Sequence, residues 1–387
     1  MEAVMGAAGV VVDERTARMA LTCVAEPAMA SVTQAVTAYG GMSVWEAVMA
    51  GDGPVARRAA RSDLCETFAR AHDEGLRFVI PGDEEWPARL DDLAHSEPVN
   101  GMCGAPFGLW LKGGGHLAAL MAHSVSMVGS RASTAYGESV AADMAVDLGE
   151  AGVCVVSGGA YGIDAAAHRG CLASRTPSVA VLAGGLDEPY PSANRRLFDR
   201  IGEAGVLVSE FPPGEHPTRV RFLGRNRLIA ALTPGTVMVE AGVRSGARNT
   251  MTWASSLHRI AMAVPGPVTS AVSFTPHRLI REGEAVLVTG AADVRELLGP
   301  LGRHCPRPRS ERRPTDDMTP DELAVYEAVP ARRGLAAGEI ALKAGVTVPV
   351  ALGMLDHLAD QELIVQTPRM EWTLAPRRRA DASQDAA

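Results

Sequence analysis

The sequence predicts an α/β fold built on a doubly wound parallel sheet, and two patterns between residues 76 and 298 carry that prediction. Short runs of almost entirely apolar residues recur there, as strands covered on both faces require. Segments of helical length separate the runs, and in 135–150 Val140, Met144 and Leu148 fall on one helix face. Such alternation predicts parallel strands joined by crossover helices. The predicted strands are 76–80, 124–129, 153–157, 178–183, 206–210, 236–241, 260–264 and 285–289.

Two smaller domains are predicted to flank this sheet domain, 76–298. Residues 1–75 are rich in alanine, valine and methionine and are broken at Gly40-Gly41 and at 51–54, which predicts a small helical domain. Residues 299–317 combine several prolines with five arginines and predict an extended linker. In 318–376, three helices followed by a hairpin at 363–374 predict a winged helix-turn-helix domain. The tail 377–387 is predicted to be disordered.

Composition restricts the class of protein. The 37 Lys and Arg against 45 Asp and Glu leave a net charge of −8, which argues against a protein that coats nucleic acid with a basic surface. The aromatic share of 4% argues against a binder built on many stacking platforms. No apolar run approaches the roughly 18 residues of a membrane span, and the first residues lack a secretory pattern, so we expect a cytoplasmic protein without a membrane partner. Six scattered cysteines without a CxxC pair predict reduced thiols rather than disulfides or a metal site.

The loops that follow the predicted strands carry unusual residues, and ligands of open parallel sheets bind where the strands end. After the strand at 124–129 come Gly129, Ser130 and Arg131, in which small residues and the start of a helix favour an anion. A tight turn whose arginine pairs with a carboxylate explains this loop equally well. The loop after the next strand, with Ser157, Gly158 and Gly159, repeats the pattern and favours anion binding. His168 on the following helix is predicted to be structural, because no partner nucleophile accompanies it.

Residues 217–227 place five donors within nine residues of an acidic protein: Arg219, Arg221, Arg225, Asn226 and Arg227. Phe222 stands among them, and cations with an interleaved aromatic ring suit a single nucleic-acid strand. The alternative is a solvated basic helix start with Phe222 in the core. A fourth loop, 240–250, contributes Ser245 and Gly246, and Glu240 is predicted to orient the arginines.

Several catalytic and cofactor motifs are missing from the sequence. It has no GxGxxG followed by a ribose-binding acid, no GxxxxGK[ST], no GxSxG and no HExxH. These absences argue against a dinucleotide dehydrogenase and a P-loop ATPase. With no catalytic residues and no metal site visible, we expect a protein that is not an enzyme.

Six motifs in unbroken order resemble one family, the DNA-processing protein A or DprA/Smf family. They are GSRASTAYG (129–137), SGGAYGIDAAAH (157–168), VLAGGLDEPYPSANRRL (181–197), SEFPPGEHP (209–217), FLGRNRLIAAL (222–232) and VEAGVRSGARNT (239–250). The resemblance implies a Rossmann-like central domain, an N-terminal helical domain related to sterile-alpha-motif (SAM) folds and a C-terminal winged helix. It further implies a bacterial cytoplasmic homodimer that binds single-stranded DNA during natural transformation and loads the RecA recombinase, without a cofactor.

Carried over by motif, the resemblance also assigns roles within one pocket. Arg131, the backbone of Gly129 and Ser130, and Arg219 are expected to hold phosphates, and Phe222 is expected to stack a base. The remaining pocket residues are expected to be Ser157, Gly158, Gly159, Arg225, Asn226 and Arg227, with Ser245 and Gly246 opposite them. The chain departs from the family at 276–280, where Pro-His-Arg-Leu-Ile replaces a run that usually contains asparagine.

Two other classes of function stay open. A phosphoribohydrolase-like enzyme of the same superfamily uses a PGGxGTxxE motif, whereas 239–250 has neither the PGG nor the matching glutamate. A ligand-sensing regulator would read duplex DNA with its winged helix. The candidate recognition helix, 348–363, carries Asp356, Asp360 and Glu362 but no arginine or lysine, and a duplex-reading helix normally brings cations.

Overall fold

The computed structural model describes residues 11–51, 53–300 and 314–376. The chain divides into two compact units, Met1–Cys305 and Pro306–Ala387. Most of the predicted linker (299–317) and the whole predicted tail (377–387) lie outside the described residues.

The first unit begins with four helices, α1 (Glu14–Val24), α2 (Ala30–Ala50), α3 (Pro54–Ala59) and α4 (Leu64–Asp73). The break predicted at Gly40 is a kink within α2, where Gly40 adopts φ +81°. The side chain of Asp13 caps α1 by accepting a hydrogen bond from the backbone N–H of Thr16 (2.7 Å). Trp110 of the sheet domain donates its Nε1–H to the hydroxyl of Thr22 on α1 at 3.2 Å, so the helices pack directly on the sheet domain.

A nine-stranded sheet forms the centre of this unit. Its strands are β1 (Arg77–Val79), β2 (Leu109–Lys112), β3 (Ser124–Val128), β4 (Cys154–Ser157), β5 (Ser178–Leu182), β6 (Val206–Ser209), β7 (Gly235–Met238), β8 (Ile260–Ala263) and β9 (Val286–Leu287). Their order is β1-β2-β6-β5-β4-β3-β7-β8-β9. The seven strands from β3 to β9 are parallel, which confirms the predicted parallel sheet.

The sequence prediction missed β2. This four-residue strand pairs antiparallel with both β1 and β6, so the sheet is mixed at that edge. Its run Leu-Trp-Leu-Lys sits between glycines and is too short to give a periodic signal. Only its neighbours in space define it as a strand.

Helices cover both faces of the sheet. They are α5 (Leu117–Ala122), α6 (Ala135–Glu150), α7 (Ile163–Ala173), α8 (Arg195–Ala204), α9 (Arg219–Leu232), α10 (Ala247–Ser256), α11 (Phe274–Arg281) and α12 (Ala291–Leu298). One face packs α6, α7 and α12 against Val125 and Val155, while α9 and α10 pack on the other face with Val156 and Val179. On α6, Met144 and Leu148 are buried and Val140 is half-buried against the same core, as the helical pattern predicts.

The strand order reverses between β3 and β7. From β3 the chain runs to β4, β5 and β6 in one direction, and from β7 it runs to β8 and β9 in the other. The loops that follow β3 and β7 therefore diverge and leave a crevice at the carboxyl ends of the strands.

The second unit contains α13 (Pro320–Ala328), α14 (Ala337–Ala344), α15 (Val348–Asp360) and a hairpin of β10 (Ile364–Gln366) and β11 (Trp372–Leu374). Thr319 and Glu322 form a capping box at α13, and Gly345 ends α14 with φ +72°. Among the described residues no single helix is long and apolar enough to cross a membrane; α14 and α15, bent by 104°, meet the length and hydropathy criteria only as a pair.

Trp110 provides a test of how the sheet edge supports the N-terminal helices. Its side chain is 1% exposed, so Trp110→Ala leaves a large cavity and should lower the free energy of unfolding by about 3–5 kcal/mol. Thr22→Val keeps the shape of the side chain, removes only the hydroxyl that accepts this hydrogen bond and should cost about 1 kcal/mol. Urea denaturation of both variants measures the difference; equal losses would contradict the packing described for β2.

Candidate functional site

A cleft of about 900 Å³ opens at the crevice between β3 and β7. Nine of the thirteen residues predicted for the site line it: Gly129, Ser130, Arg131, Arg219, Phe222, Arg225, Asn226, Ser245 and Gly246. The loop after β3, the first two turns of α9 and the loop after β7 bring them together. The remaining four, Ser157, Gly158, Gly159 and Arg227, do not line this cleft.

The protein itself fills the anion position predicted at the start of α6. The carboxylate of Glu240 accepts hydrogen bonds from the backbone N–H of Thr134 (2.9 Å) and from its hydroxyl (2.6 Å). A Cβ at Gly137 would lie 2.3 Å from the Glu240 carboxyl carbon, so glycine is what admits this side chain. The prediction that Glu240 orients the arginines is therefore wrong, because the carboxylate faces the helix N-terminus instead.

The backbone of the loop after β3 is also engaged within the protein. The N–H of Ser130 donates to the carbonyl oxygen of Glu240 at 2.6 Å, and its hydroxyl donates to the carbonyl of Ala132 at 3.0 Å. A Cβ at Gly129 would meet the side chain of Ile163 at 2.6–2.8 Å, so this glycine allows the loop to close on α7. The expectation that the N–H of Ser130 holds a phosphate is therefore corrected. In this loop, Arg131 supplies the exposed cation.

The loop after β4 packs beside the Arg225 side chain. Ser157 is fully buried and donates its hydroxyl to the carbonyl of Met127 at 2.6 Å. Gly159 has φ +67°, and a Cβ there would meet the ring of Phe198. A Cβ at Gly158 would lie 1.9 Å from an Nη atom of Arg225. Gly158 thus makes room for the Arg225 guanidinium, and in this loop Ala160 lines the cleft, whereas Ser157, Gly158 and Gly159 do not.

Two of the four arginines on α9 are neutralised by carboxylates. Arg221 forms ion pairs with Glu26 and Glu215. Arg227 is 0% exposed and pairs with Glu210, whose carboxylate is 3% exposed.

Arg227 lies outside the cleft because of helix geometry. Two residues along a helix turn the side chain by about 200°, which places Arg225 and Arg227 on opposite faces of α9. The prediction that Arg227 completes the basic pocket is therefore not met by the structure.

Arg225 is the buried cation of the cleft. Arg225 is only 5% exposed, and no carboxylate of the described residues lies within ion-pair distance of it. Its Nε has no hydrogen-bond partner among those residues. Burial lowers the pKa of Arg225 to about 10; Asp164 opposes this shift, and the neighbouring Arg131 adds to it.

Asp164 is a cleft residue that the sequence analysis did not single out. It is 7% exposed, and burial raises the pKa of its carboxyl group, although Arg225, the N–H of Ala160 and Arg131 favour the charged form. In the sequence it is an acid in the first turn of a helix, which is common for electrostatic reasons alone. Nothing local in the sequence indicates that it faces two arginines.

A ring cluster borders the cleft. The guanidinium carbon of Arg131 lies 4.5 Å from the ring centroid of Phe222, in a cation–π arrangement. Tyr190, which the sequence analysis also missed as a site residue, lies with its ring 6.0 Å from that of Phe222. Across the cleft, the amide of Asn226 donates to the carbonyl of Gly246 at 3.3 Å and ties α9 to the loop after β7.

His168 is available neither as a base nor as a ligand. It is 0% exposed, its Nδ1 lies 2.8 Å from the hydroxyl of Ser178, and burial lowers its pKa to about 3. The structural role predicted for it fits this environment. Among the described residues no cluster of His, Cys, Asp and Glu is arranged to hold a metal ion.

Comparison with known proteins follows the same motifs. A family model described as DNA recombination-mediator protein A matches residues 77–299. A Mycobacterium tuberculosis protein with DprA in its name is 43% identical over 354 residues, which cover 87% of this chain and 88% of that protein. Protein Smf of Escherichia coli is 36% identical over 244 residues, or 62% of this chain and 61% of that protein. The X-ray structure of DNA processing protein A from Streptococcus pneumoniae aligns with a TM-score of 0.61 at 28% identity, over 76% of this chain and 100% of that chain.

Substitutions of the two buried arginines of α9 should change the stability of the protein in opposite directions. The lowered pKa of Arg225 means that folding disfavours its charged form below pH 10, and this balance already includes the attraction of Asp164. Arg225→Met should therefore raise the free energy of unfolding at pH 7 by about 1–3 kcal/mol. The gain should shrink as the pH rises above about 10, where the parent's guanidinium loses its charge.

Arg227→Met is the matched comparison. It leaves Glu210 buried without its partner and should cost about 3–5 kcal/mol. Thermal and urea unfolding at pH 7, without added anions, measure both variants. Destabilisation of both variants to a similar extent would contradict the description of Arg225 as a buried charge without an ion-pair partner.

Proposed function

Because the chain belongs to the DNA recombination-mediator protein A family, which includes the DprA and Smf proteins, we propose that it binds single-stranded DNA in the cleft between β3 and β7. The single observation that carries the proposal is Arg225, a buried guanidinium at the cleft without a carboxylate partner among the described residues. A phosphate of the DNA backbone supplies the missing anion, and a guanidinium fork matches its oxygens.

The charge around Arg225 supports a polyanionic ligand. Arg131 and Arg219 are exposed at the rim of the cleft, and Arg244 lines it as well. Asp164 is the one carboxylate among the residues that line the described cleft. This local excess of positive charge stands within a chain of net charge −8, so binding is confined to the cleft and does not spread over the surface.

The shape of the cleft favours a single strand over a duplex. The cations stand in a concave site next to the rings of Phe222 and Tyr190, and a paired duplex hides the faces of its bases inside the stack. A single strand presents phosphates and base faces together, which suits a groove that combines cations with aromatic rings.

The family resemblance extends the proposal beyond the cleft. We propose that the protein acts in natural transformation and recombination, in the cytoplasm, as a homodimer that protects incoming DNA and loads RecA without a nucleotide cofactor. In this proposal residues 1–75 form a SAM-like domain, 76–298 the Rossmann-like DNA-binding domain and 318–376 a winged-helix domain. The three helices and hairpin of the second unit support the last assignment.

Arginine variants test the cleft by fluorescence anisotropy with a labelled single-stranded oligonucleotide. Arg131→Ala, Arg219→Ala and Arg225→Met should each weaken binding, and loss of the charged hydrogen bonds of Arg131 or Arg225 should cost about 1.5–3 kcal/mol. Each variant should also reduce the slope of log affinity against log salt concentration by about 0.7, because one phosphate contact is lost.

Arg200→Ala, an exposed arginine on α8 outside the cleft, is the matched control and should bind as the parent does. A parent protein that prefers duplex, or cleft variants that bind like Arg200→Ala, would refute the proposed site. Release of free base from a nucleoside monophosphate would assign the cleft to an enzyme instead.

A further inference from the structure

We propose that the exposed ring faces of Tyr190 and Tyr161, which border a small groove beside the cleft, form a surface on which a nucleobase stacks. The groove is lined by Arg131, Gly158, Ala160, Pro191, Phe222 and the two tyrosines. This inference rests on the proposed function, since it concerns how the same single strand places its bases.

Tyr161 and Tyr190 are exposed rings that lie beside the cationic cleft. The chain has only five tyrosines, seven phenylalanines and five tryptophans. All five tryptophans are buried, at 8% exposure or less. Tyr161 and Tyr190 are 46% and 49% exposed and follow β4 and β5, so they stand at the same edge of the sheet as the cleft. Exposed rings next to a cationic cleft offer faces on which a flat ring of a bound nucleic-acid strand can stack.

Phe222 has less open ring surface than Tyr190. The guanidinium of Arg131 lies over its ring at 4.5 Å, and the Tyr190 ring stands 6.0 Å away, tilted by 59°. Phe222 is half-buried, whereas about half of Tyr190 is exposed. The geometry therefore makes Phe222 a support for Arg131 and Tyr190, and leaves the open stacking surface on Tyr190.

Tyr136 is also exposed, but its hydroxyl has a structural role that those of Tyr161 and Tyr190 lack. Tyr136 is 40% exposed, and its hydroxyl donates to the carbonyl of Pro265 at 2.7 Å, which anchors one segment on another. Neither Tyr161 nor Tyr190 has a hydrogen bond from its hydroxyl to any residue in the described ranges. Their exposure is thus not explained by a structural contact of the hydroxyl group.

The two loops that carry the tyrosines are held together. The side-chain amide of Asn194 donates to the carbonyl of Gly159 at 3.0 Å and to that of Ala160 at 3.4 Å. This bridge fixes the segment after Tyr190 to the segment before Tyr161, so little loop freedom is lost when a base binds. Arg131, Ala160, Tyr190 and Phe222 line both the groove and the cleft, so one nucleotide reaches both sites.

Two probes separate base stacking from phosphate binding: a labelled 20-residue oligothymidylate and an abasic oligonucleotide of the same length. Tyr190→Ala should weaken oligothymidylate binding roughly 5- to 100-fold, the range expected for loss of one stacked base, and leave abasic binding unchanged. Tyr190→Phe should retain the parent's affinity, since the ring remains. Tyr39→Ala, which removes an exposed tyrosine on α2, is the control and should bind both probes like the parent.

The outcomes distinguish this inference from the proposed function. If Tyr190→Ala and Tyr161→Ala bind oligothymidylate like the parent while Arg225→Met binds it more weakly, the stacking subsite is refuted and the DNA-binding cleft stands. If the parent binds neither probe, the proposed function itself fails. Photocrosslinking to an oligonucleotide with 5-iododeoxyuridine provides a readout without mutation: crosslinks at Tyr190 or Tyr161 are expected, and crosslinks confined to Phe222 would overturn the inference.

Discussion

Burial of the Arg225 guanidinium without a carboxylate partner is the constraint on which the cleft depends. Two residues along the same helix, Arg227 is also buried, and there Glu210 compensates its charge. The fold therefore has the means to neutralise a buried arginine and uses them on one face of α9 only. On the other face no carboxylate of the described residues pairs with Arg225. Burial lowers its pKa although Asp164 opposes the shift, and its guanidinium is left to bind an external anion.

The surroundings of Arg225 follow from this constraint. Because Gly158 has no side chain, it leaves the space that the Arg225 guanidinium occupies. Asp164 offsets part of the positive charge of Arg225 without lying within ion-pair distance of it. At the neighbouring helix start, Glu240 occupies the position where an external anion would otherwise sit. The cleft thus directs a ligand to arginine side chains at its floor and rim. Backbone N–H groups of the loop after β3, such as those of Ser130 and Thr134, bond within the protein.

The sequence predicted the sheet well because alternation of apolar runs and helices is a local signal, and it located the cleft because ligand loops of such sheets share one edge. It missed β2, which only its pairing with β1 and β6 defines. It also overestimated the number of free arginines. Arg221 pairs with Glu26, which follows the C-terminal end of α1 and is 195 residues away in sequence. No local pattern reveals such a contact. Helix geometry alone predicts that Arg225 and Arg227 lie on opposite faces of α9. It does not predict which of these faces borders the cleft.

The most direct test of this account is a crystal structure of the protein with a short oligothymidylate. The account predicts a phosphate oxygen within about 3 Å of a terminal nitrogen of Arg225, with the strand continuing past Arg131. A strand bound elsewhere on the protein, with the Arg225 guanidinium still without an anion, would contradict it.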